Sequence, residues 1–214
     1  MHTLSDYTRA SLAIGVDEAG RGALAGPVVA AAVLLSEEFD RAGIQDSKKL
    51  TSAERQRLFE RIMSAHEQGK VCVGIGFASV DIIEQQNILQ ATICAMHTAL
   101  DAAHSAYTIL NRVSCKPTVL VDGNYFHSTT YTHYRAIVHG DELVDCIAAA
   151  SIVAKVTRDR WMQHEADPAF PVYGFKQHKG YGTRQHREAI RHYGTCPLHR
   201  SLFVRSTLQQ SLFI

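Results

Sequence analysis

Acidic residues follow apolar, strand-like runs at three places in this 214-residue chain. Asp17 and Glu18 end the run LAIGVDE, Asp122 ends TVLVD, and Asp141 follows RAIVHG. A strand with buried apolar residues can place a carboxylate at its end, where several such ends converge on one edge of a sheet. Carboxylate oxygens are the ligands that Mg²⁺ and Mn²⁺ prefer. The pattern therefore predicts a hard-metal site on a sheet, with these four carboxylates as its ligands.

Apolar periodicity divides the chain into alternating strands and helices. Strands are expected at residues 12–17, 28–35, 71–77, 118–121 and 135–138, and helices at about 52–67, 81–104 and 142–163. Thr51 precedes the first helix and Glu54 follows three residues later, which is a capping-box pattern. Because three strands come first and strands then alternate with helices, we expect an α/β fold with a mixed central sheet flanked by helices.

The chain shows no linker, internal repeat or low-complexity segment, and its length suffices for one substantial core. An apolar fraction of 46% and a charged fraction of 20% are typical of a soluble globular protein. We therefore expect a monomer with a single domain over residues 1–214, in which about 165–214 form a small, basic, helical appendage.

Membrane insertion and secretion are not expected. The longest apolar stretch, residues 23–35, is shorter than the roughly 20 residues of a membrane span, and the N-terminus lacks a signal-peptide core. Five cysteines without a CxxC pair predict free thiols, and twelve histidines without an HExxH motif give no support for zinc. These features favour a cytoplasmic protein.

Basic residues concentrate near the C-terminus. Residues 175–205 contain seven Lys or Arg residues and one acid, a net charge of +6, whereas the whole chain carries +1 and the remainder therefore −5. An acidic body joined to a basic tail suits a polyanion bound beside a metal site. A solvated basic helix face is the alternative, and charge alone leaves both interpretations open.

Glycines recur in the run GRGALAG, which begins at Gly20. The GxGxxxG spacing is one residue too long for a dinucleotide fingerprint, and no GK[ST] follows for a P-loop. Because Gly20 and Gly22 lack Cβ atoms, main-chain groups can approach a sugar hydroxyl or phosphate, while Arg21 can donate charge-assisted hydrogen bonds to an oxyanion. A tight turn at a strand exit, without a ligand, is the alternative.

Six segments together resemble bacterial ribonuclease HII, in the family's order and over about residues 14–203. They are GVDEAGRG, DSKKL, VDGN, the GDE at 140–142, AASIVAKVTRD and HKGYGT. Ribonuclease HIII is less similar, because that family usually has a lysine in the glycine turn where this chain has Arg21.

The resemblance implies a ribonuclease-H-like fold and an endonuclease that cleaves the RNA strand of RNA–DNA hybrids. It also implies cutting on the 5′ side of single ribonucleotides in duplex DNA, as in ribonucleotide excision repair during DNA replication. Two divalent ions, Mn²⁺ or Mg²⁺, would serve the hydrolysis and leave 3′-hydroxyl and 5′-phosphate ends.

The family's functional residues carry over to matching positions. Its four catalytic and metal-binding carboxylates correspond to Asp17, Glu18, Asp122 and Asp141. Its glycine turn, which reads the ribose 2′-hydroxyl, corresponds to Gly20, Arg21 and Gly22, and its stacking tyrosine to Tyr181. Candidate phosphate contacts are Lys48, Lys49, Lys179, Arg184 and Arg187. Tyr181 as an ordinary turn residue, and Lys48 and Lys49 as solvated charges, are the alternatives.

Three positions depart from the family pattern or compete with it. Ala23 stands where proline is usual, a change expected to loosen the glycine turn. His139 stands where a lysine usually precedes the Gly-Asp pair, which removes a permanent charge beside Asp141. Asp145, one helical turn further on, competes with Asp141 as the fourth ligand.

The C-terminal sequence QQSLFI resembles the short peptide by which bacterial repair proteins bind the replication sliding clamp. Gln209, Leu212 and Phe213 would be its anchors, and tethering would raise the local concentration of enzyme on new DNA. A helix end packed on the body of the protein is the alternative.

Two other functions share some of these features. A DNA-directed nuclease or integrase of the same fold would have strand-end acids without needing both the glycine turn and Tyr181. A non-catalytic nucleic-acid-binding module would keep the basic tail and could lose the acids.

Overall fold

A computed structural model describes residues 12–44, 50–112 and 117–210, with side chains as far as residue 205. Its central sheet contains the five strands predicted from the sequence. They are β1 (Ala13–Ala19), β2 (Val28–Leu35), β3 (Val71–Ala78), β4 (Thr118–Asp122) and β5 (Tyr134–Ile137).

The strand order in the sheet is β3-β2-β1-β4-β5. The first three strands form an antiparallel meander, whereas β4 runs parallel to both β1 and β5. The prediction of a mixed sheet is therefore confirmed. As a result, β1 and β4 end at the same edge, where two of the predicted acidic segments lie.

Helices surround this sheet within the described residues. Those before the appendage are α1 (Ser52–Glu67), α2 (Val80–Gln86), α3 (Ile88–Asn111), α4 (Gly140–Leu143) and α5 (Asp145–Trp161). A π-helical turn (Met162–Ala166) then leads to α6 (Asp167–Ala169), a 3₁₀ turn (Pro171–Tyr173), α7 (Phe175–His178), α8 (Arg184–Tyr193) and α9 (Ser201–Gln210).

The prediction for α1 is confirmed, including its capping box. The Glu54 amide donates to the Thr51 hydroxyl at 3.3 Å, and the Thr51 amide donates to the Glu54 carboxylate at 2.8 Å. These two bonds satisfy amides that would otherwise have no partner at the helix start.

Two longer helices were predicted as continuous, and both predictions are wrong. Asn87 has a φ of 75°, and its side chain accepts hydrogen bonds from the amides of Leu89 and Gln90, so it ends α2 and caps α3. Asparagine suits this position because it tolerates positive φ and its side chain accepts from helix amides. Val144, with φ −133° and ψ 116°, is extended and separates α4 from α5.

The core lies on both faces of the sheet. Helix α3 covers one face and packs on alternate residues of β2, including Val28, Ala30 and Ala32. Helices α1 and α5 cover the other face, over Ala31 and Val33. The uninterrupted apolar sequence of β2 follows from this burial on both faces.

Gly15 sets how closely α5 approaches β1. A Cβ atom at this position would lie 2.2 Å from the carbonyl carbon of Cys146 and 2.3 Å from the Ile147 amide nitrogen. Only glycine permits this contact, which occurs two residues before Asp17. The start of α5 is thereby held against the strand that carries the first acidic pair.

The C-terminal elements pack around their own apolar cluster, which contains Ala25, Met162, Tyr173 and Phe175. The described part of the chain has no helix that is both long and apolar enough to cross a membrane. Cys72, Cys94, Cys146 and Cys196 are free thiols, as predicted. The assignment of all 214 residues to one domain with an appendage stays a prediction.

Candidate active site

Strand pairing brings the first two acidic segments together. Val16 of β1 is the register partner of Val121 of β4 in the parallel pair, and the next residue on each strand is Asp17 or Asp122. Two aspartates therefore lie side by side where β1 and β4 approach the same edge. Apolar residues before them hold the strands in the core, which leaves the carboxylates at its boundary.

Asp17 is buried, with 6% of its surface exposed. Burial, followed by the negative charges of Glu18 and Asp122, raises the pKa of this carboxyl well above its ordinary value. The hydroxyl of Ser151 on α5 donates to Asp17 and opposes the rise, as does the Glu18 amide, which donates to Asp17 Oδ1 at 2.7 Å. Ionised Asp17 is thus destabilised in the absence of a compensating cation.

Glu18 is held by the glycine turn that follows it. Arg21 Nη1 lies 3.1 Å from Glu18 Oε1, and the arginine is half-exposed. Burial raises the pKa of the Glu18 carboxyl, as does the charge of Asp122, and the Arg21 charge opposes these effects. Arg21 therefore neutralises part of the negative charge next to Asp17.

Asp122 connects the sheet to α4. Its Oδ1 accepts a hydrogen bond from the Gly140 amide at 2.7 Å, and the Asp141 amide lies 3.4 Å from the same oxygen. Asp141 is 1% exposed, whereas its competitor Asp145 forms an ion pair with Arg41 at 3.5 Å. Asp141 thus contacts Asp122 through its backbone amide, and its choice over Asp145 as the fourth acid stays a prediction.

The four acids are not arranged as a closed ligand set. No group of three or more His, Cys, Asp or Glu residues in the described ranges is positioned to hold a metal ion. Arg21 and backbone amides occupy several of the carboxylate oxygens instead. The chemistry of the site nevertheless fits a hard divalent cation, because oxygen donors coincide with negative charge that raises the pKa of Asp17.

The glycine turn lies directly after these acids. Gly20 has a φ of 95°, and a Cβ atom there would lie 1.9 Å from Arg158 Nε. The Ala23 amide donates to the Gly20 carbonyl at 3.2 Å, a bond that the family's usual proline cannot form. Arg21 and Gly22 are exposed residues of this turn.

Arg158 of α5 lies beneath this turn and is completely buried. It donates from Nε to the Pro27 carbonyl at 2.8 Å and from Nη2 to the Ala25 carbonyl at 3.0 Å. Its Nη1 donates to the Lys179 carbonyl at 3.0 Å. One guanidinium therefore joins the segment after the glycine turn to the HKGYGT segment.

Arg200 makes a second buried connection. Its Nε and Nη2 donate to the Gly26 carbonyl at 3.0 and 2.7 Å, and its Nη1 donates to the Arg21 carbonyl at 2.9 Å. Burial, followed by the charge of Arg158, lowers the pKa of Arg200 to about 9, which leaves it protonated at neutral pH. We call Arg158 and Arg200 the arginine brace.

Tyr181 lies across the brace from the glycine turn. The Gly180 carbonyl accepts from the amides of Leu24 and Ala25 at 2.9 and 3.2 Å, which fixes the HKGYGT segment against the turn. Arg158 Cζ lies 5.3 Å from the centre of the Tyr181 ring. The two elements that were predicted to read the sugar are thus connected by hydrogen bonds.

Comparison with known proteins decides the family. The family model for ribonuclease HII matches residues 14–208. A ribonuclease HII of Albidiferax ferrireducens is 48% identical over 206 residues, covering 95% of this chain and 92% of its relative. Another from an Acidovorax species is 48% identical, with 92% and 88% covered. The chain belongs to the ribonuclease HII family.

Solved structures agree on the fold. The RNase HII in a PCNA:RNase HII complex from Archaeoglobus fulgidus has a TM-score of 0.63 at 24% identity, covering 88% of this chain and 93% of that one. A ribonuclease H2 from Pyrococcus horikoshii has the same TM-score at 23% identity, covering 92% and 97%. A Bst RNase HIII in complex with Mn²⁺ reaches 0.64 at 16%, covering 96% and 72%.

Membership of the ribonuclease HII family confirms the predicted resemblance, fold and enzyme class. The protein is a ribonuclease H, an endonuclease that acts on RNA–DNA hybrids. The described structure places the predicted carboxylates, glycine turn and tyrosine on neighbouring segments of this ribonuclease H fold.

The predicted phosphate contacts of this ribonuclease HII differ in their surroundings. Arg184 is bound to Glu188 at 2.7 Å on an exposed face of α8, and Arg187 is half-buried. The Lys179 ammonium donates to the Lys176 carbonyl, and burial lowers its pKa. Lys48 and Lys49 lie outside the described residues, as do the clamp anchors Leu212 and Phe213 and the side chain of Gln209.

Three buried histidines beneath Tyr181 were not singled out from the sequence. The rings of His178 and His186 stack at 4.3 Å, and the Nε2 atoms of His186 and His199 lie 3.1 Å apart. Their spacing matches no ligand motif, which is why sequence reasoning missed them. The available signal was the position of His178, which begins the HKGYGT segment.

The hydrogen bonds of this histidine cluster require three neutral rings. His178 and His199 accept at Nδ1 from the amides of Gly180 and Cys196, at 3.2 and 2.9 Å. His186 Nδ1 lies 3.0 Å from the Tyr181 carbonyl, so that nitrogen donates and Nε2 accepts from His199. Burial lowers the pKa of all three rings, that of His186 to about 4.

Proposed function

We propose that this enzyme cuts duplex DNA on the 5′ side of single embedded ribonucleotides, in addition to cutting the RNA strand of hybrids. The products would carry 3′-hydroxyl and 5′-phosphate ends. The main support is that the carboxylates, the glycine turn and Tyr181 are joined by short hydrogen-bonded segments. Such an enzyme would work in ribonucleotide excision repair, on chromosomal DNA in the cytoplasm.

Asp17, Glu18, Asp122 and Asp141 would hold two divalent ions, Mn²⁺ or Mg²⁺. Support comes from their oxygen chemistry and from the mutual raising of pKa, because a cation would offset the surplus negative charge. Two such ions, when bound, supply an activated water and charge stabilisation at the scissile phosphate. Ser151 would orient the Asp17 carboxylate, and the Gly140 amide would orient that of Asp122.

Selection for RNA requires a group that senses the 2′-hydroxyl, since phosphates occur in both polymers. The exposed residue Gly22 is suited to this role because its main chain can both donate and accept hydrogen bonds, whereas the Arg21 carbonyl is held by Arg200. A deoxyribose at the same position would leave those groups unpaired. Tyr181 would pack on the next sugar and exclude a hydroxyl there.

Residues 165–214 would act as an appendage that helps to hold the duplex. Lys179, Arg184 and Arg187 supply positive charge on this part of the chain, and phosphate contacts position a duplex without reading its bases. The buried Arg200 would contribute by supporting the glycine turn instead.

The decisive experiment uses a DNA duplex with one internal ribonucleotide. We expect the enzyme to cut 5′ of that ribonucleotide in Mn²⁺ or Mg²⁺, and not in the presence of a chelator. Asp122→Asn is expected to reduce cleavage by at least about a thousandfold, because it removes a charged ligand at the scissile phosphate. Sequencing gels that resolve the product ends would measure both the position and the end chemistry.

The matched control is Asp81→Asn, which removes a carboxylate on an exposed turn of α2. This control should cut like the wild type. Cleavage of an all-DNA duplex at a comparable rate would contradict the proposal in favour of a DNA-directed nuclease. Tight binding without cleavage in either metal would contradict it in favour of a binding module.

We also propose that the C-terminus binds a sliding clamp through Gln209, Leu212 and Phe213. The sequence QQSLFI supports this, and a related RNase HII of similar fold occurs in a complex with PCNA. Helix α9 extends to Gln210, so Gln209 belongs to its last turn and Leu212 and Phe213 follow the helix in sequence.

Deleting residues 209–214 tests this partner. We expect the truncated enzyme to lose measurable binding to a bacterial sliding clamp in surface plasmon resonance while it still cuts the ribonucleotide duplex. A Leu212→Ala, Phe213→Ala variant should behave like the deletion. Unchanged clamp affinity in both variants would end this proposal and leave helix packing as the role of the segment.

A further inference from the structure

Lys155 lies on the face of α5 that connects the catalytic carboxylates to Tyr181. Ser151, whose hydroxyl donates to Asp17, precedes it by four residues. Residues four apart share a helix face and are separated by about 6 Å along the axis. The Lys155 ammonium in turn lies 5.5 Å from the centre of the Tyr181 ring. The ammonium group therefore lies on the helix face that a nucleic-acid strand reaching from Asp17 to Tyr181 would follow.

The ammonium group is accessible and its ion pair is exchangeable. Lys155 Nζ lies 2.7 Å from Asp159 Oδ1, with 33% and 26% of the two side chains exposed. Ion pairs of this i,i+4 type contribute little to stability, so a phosphate can replace the aspartate at low cost. Contact with the face of Tyr181 keeps the ammonium near the site meanwhile.

The other cationic side chains near Tyr181 and the carboxylates have different partners. Arg21 is bound to Glu18, the Lys179 ammonium donates to the Lys176 carbonyl, and Arg158 is buried against three carbonyls. The side chain of Lys155 therefore combines proximity to the carboxylates with a readily displaced partner.

We propose that Lys155 binds a backbone phosphate of the cleaved strand, at the step between the scissile phosphate and the sugar that packs on Tyr181. Asp159 holds the ammonium until the substrate displaces it. The role rests on the proposed function, because it assumes that the strand runs from the carboxylates to Tyr181. It adds a specific phosphate contact in α5 to those expected from the basic appendage.

The salt dependence of binding tests this contact. Each phosphate contact contributes about 0.9 to the slope of log affinity against log salt concentration on duplex DNA. We expect Lys155→Gln to reduce the slope by about 0.9 and to weaken binding about five- to tenfold at low salt. The measurement is fluorescence anisotropy of a labelled duplex with one ribonucleotide, in chelator, between about 50 and 200 mM KCl.

Three further variants separate charge from structure. Lys155→Arg should retain the wild-type slope, because it keeps a cation at this position. Lys70→Gln, which removes an exposed lysine at the opposite end of the sheet, should also leave the slope unchanged. Asp159→Asn should increase affinity about twofold, because the ammonium no longer has a competing partner.

An unchanged slope in Lys155→Gln would overturn the proposal, as would an equal loss of slope in Lys155→Gln and Lys155→Arg. The proposed function is judged separately, by cleavage with the wild-type enzyme. If the wild type cuts 5′ of the ribonucleotide and the slope does not change, the Lys155 assignment alone fails.

Discussion

The acidic edge of the sheet, which comprises Asp17, Glu18, Asp122 and Asp141, differs from the arginine brace in how it accommodates buried charge. At the acidic edge, like charges crowd together, and burial raises the pKa of Asp17 and Glu18. In the arginine brace, two fully buried guanidiniums each donate three hydrogen bonds to carbonyl oxygens. Both regions concentrate one sign of charge. The guanidiniums of the brace have carbonyl acceptors, whereas the partners of the acids, which are Arg21, Ser151 and backbone amides, still leave the pKa values of Asp17 and Glu18 raised.

This difference separates function from stability. A crowded set of carboxylates costs folding free energy and is suited to binding cations. A guanidinium surrounded by carbonyls holds distant segments together, and removing it leaves those carbonyls without partners. Substitutions in the two regions should therefore change the free energy of unfolding in opposite directions.

The largest change in stability is expected for Arg158→Met. This variant leaves the carbonyls of Pro27, Ala25 and Lys179 without a donor, and it should lose about 3–5 kcal/mol of unfolding free energy. Urea denaturation monitored by circular dichroism measures the loss. Arg57→Met, on the exposed face of α1, is the control and should change stability by less than about 0.5 kcal/mol. Equal stability of the two variants would contradict the structural role of the brace.

The second-largest effect is expected on acidification, which should lower the free energy of unfolding through the histidine cluster. The folded state lowers the pKa of His186 from 6.5 to about 4, so neutral rings stabilise the fold above pH 6.5 and this contribution is lost as the pH falls toward 4. The shift corresponds to about 3 kcal/mol. Urea denaturation at several pH values would measure it.

The variant for this test is His186→Asn, with exposed His164→Asn as the control. We expect His186→Asn to be less stable than the wild type at neutral pH and to lose less stability on acidification. His164→Asn should follow the wild-type pH profile. Identical pH profiles for all three proteins would show that the buried ring does not titrate as inferred.

Asp17→Asn should act in the opposite direction and stabilise the metal-free enzyme by about 1–2 kcal/mol. The folded-state pKa of Asp17 is raised, so its ionised form destabilises the fold at neutral pH, and the asparagine oxygen can still accept from the Glu18 amide. Thermal unfolding in chelator would measure the gain. Added Mn²⁺ should then stabilise the wild type more than the variant. A variant less stable than the wild type in chelator would break the contrast between the two regions.

The smallest effect is expected for Glu84, an acid of α2 outside the acidic edge. The Glu84 carboxylate accepts from the Ser201 amide at 2.7 Å and from the Ser201 hydroxyl at 2.6 Å, at the start of α9. Glu84→Gln should lose about 1 kcal/mol because it weakens these charge-assisted bonds. Urea denaturation of Glu84→Gln beside the exposed Glu38→Gln would measure the difference. A gain in stability, as expected for Asp17→Asn, would remove the contrast between Asp17 and Glu84.

The acidic edge could be predicted from the sequence because its signal is local. Apolar runs of strand length end at Asp17 and Asp122, and strand ends of one sheet share an edge. The family resemblance supplied the roles of the glycine turn and Tyr181. The break at Asn87 was missed because the apolar pattern continues through it, and a cap depends on backbone geometry that periodicity does not report.

The arginine brace could not be predicted in the same way. Arg158 lies 131 residues from Pro27 in sequence, and Arg200 lies 174 residues from Gly26. Arginine is normally exposed, so Arg200 was counted with the surface charge of the basic tail. Its burial follows from carbonyls that only the folded chain brings together.

Gly15 has a consequence for all of these groups. Helix α5 lies against β1 at this glycine, and the same helix carries Ser151, Lys155 and Arg158. A methyl group at residue 15 would lift the whole helix and shift its three side chains together, each away from a different neighbour. The absence of one carbon atom thus sets how far the hydrogen-bond donor Ser151, the proposed phosphate contact Lys155 and the brace residue Arg158 stand from the sheet.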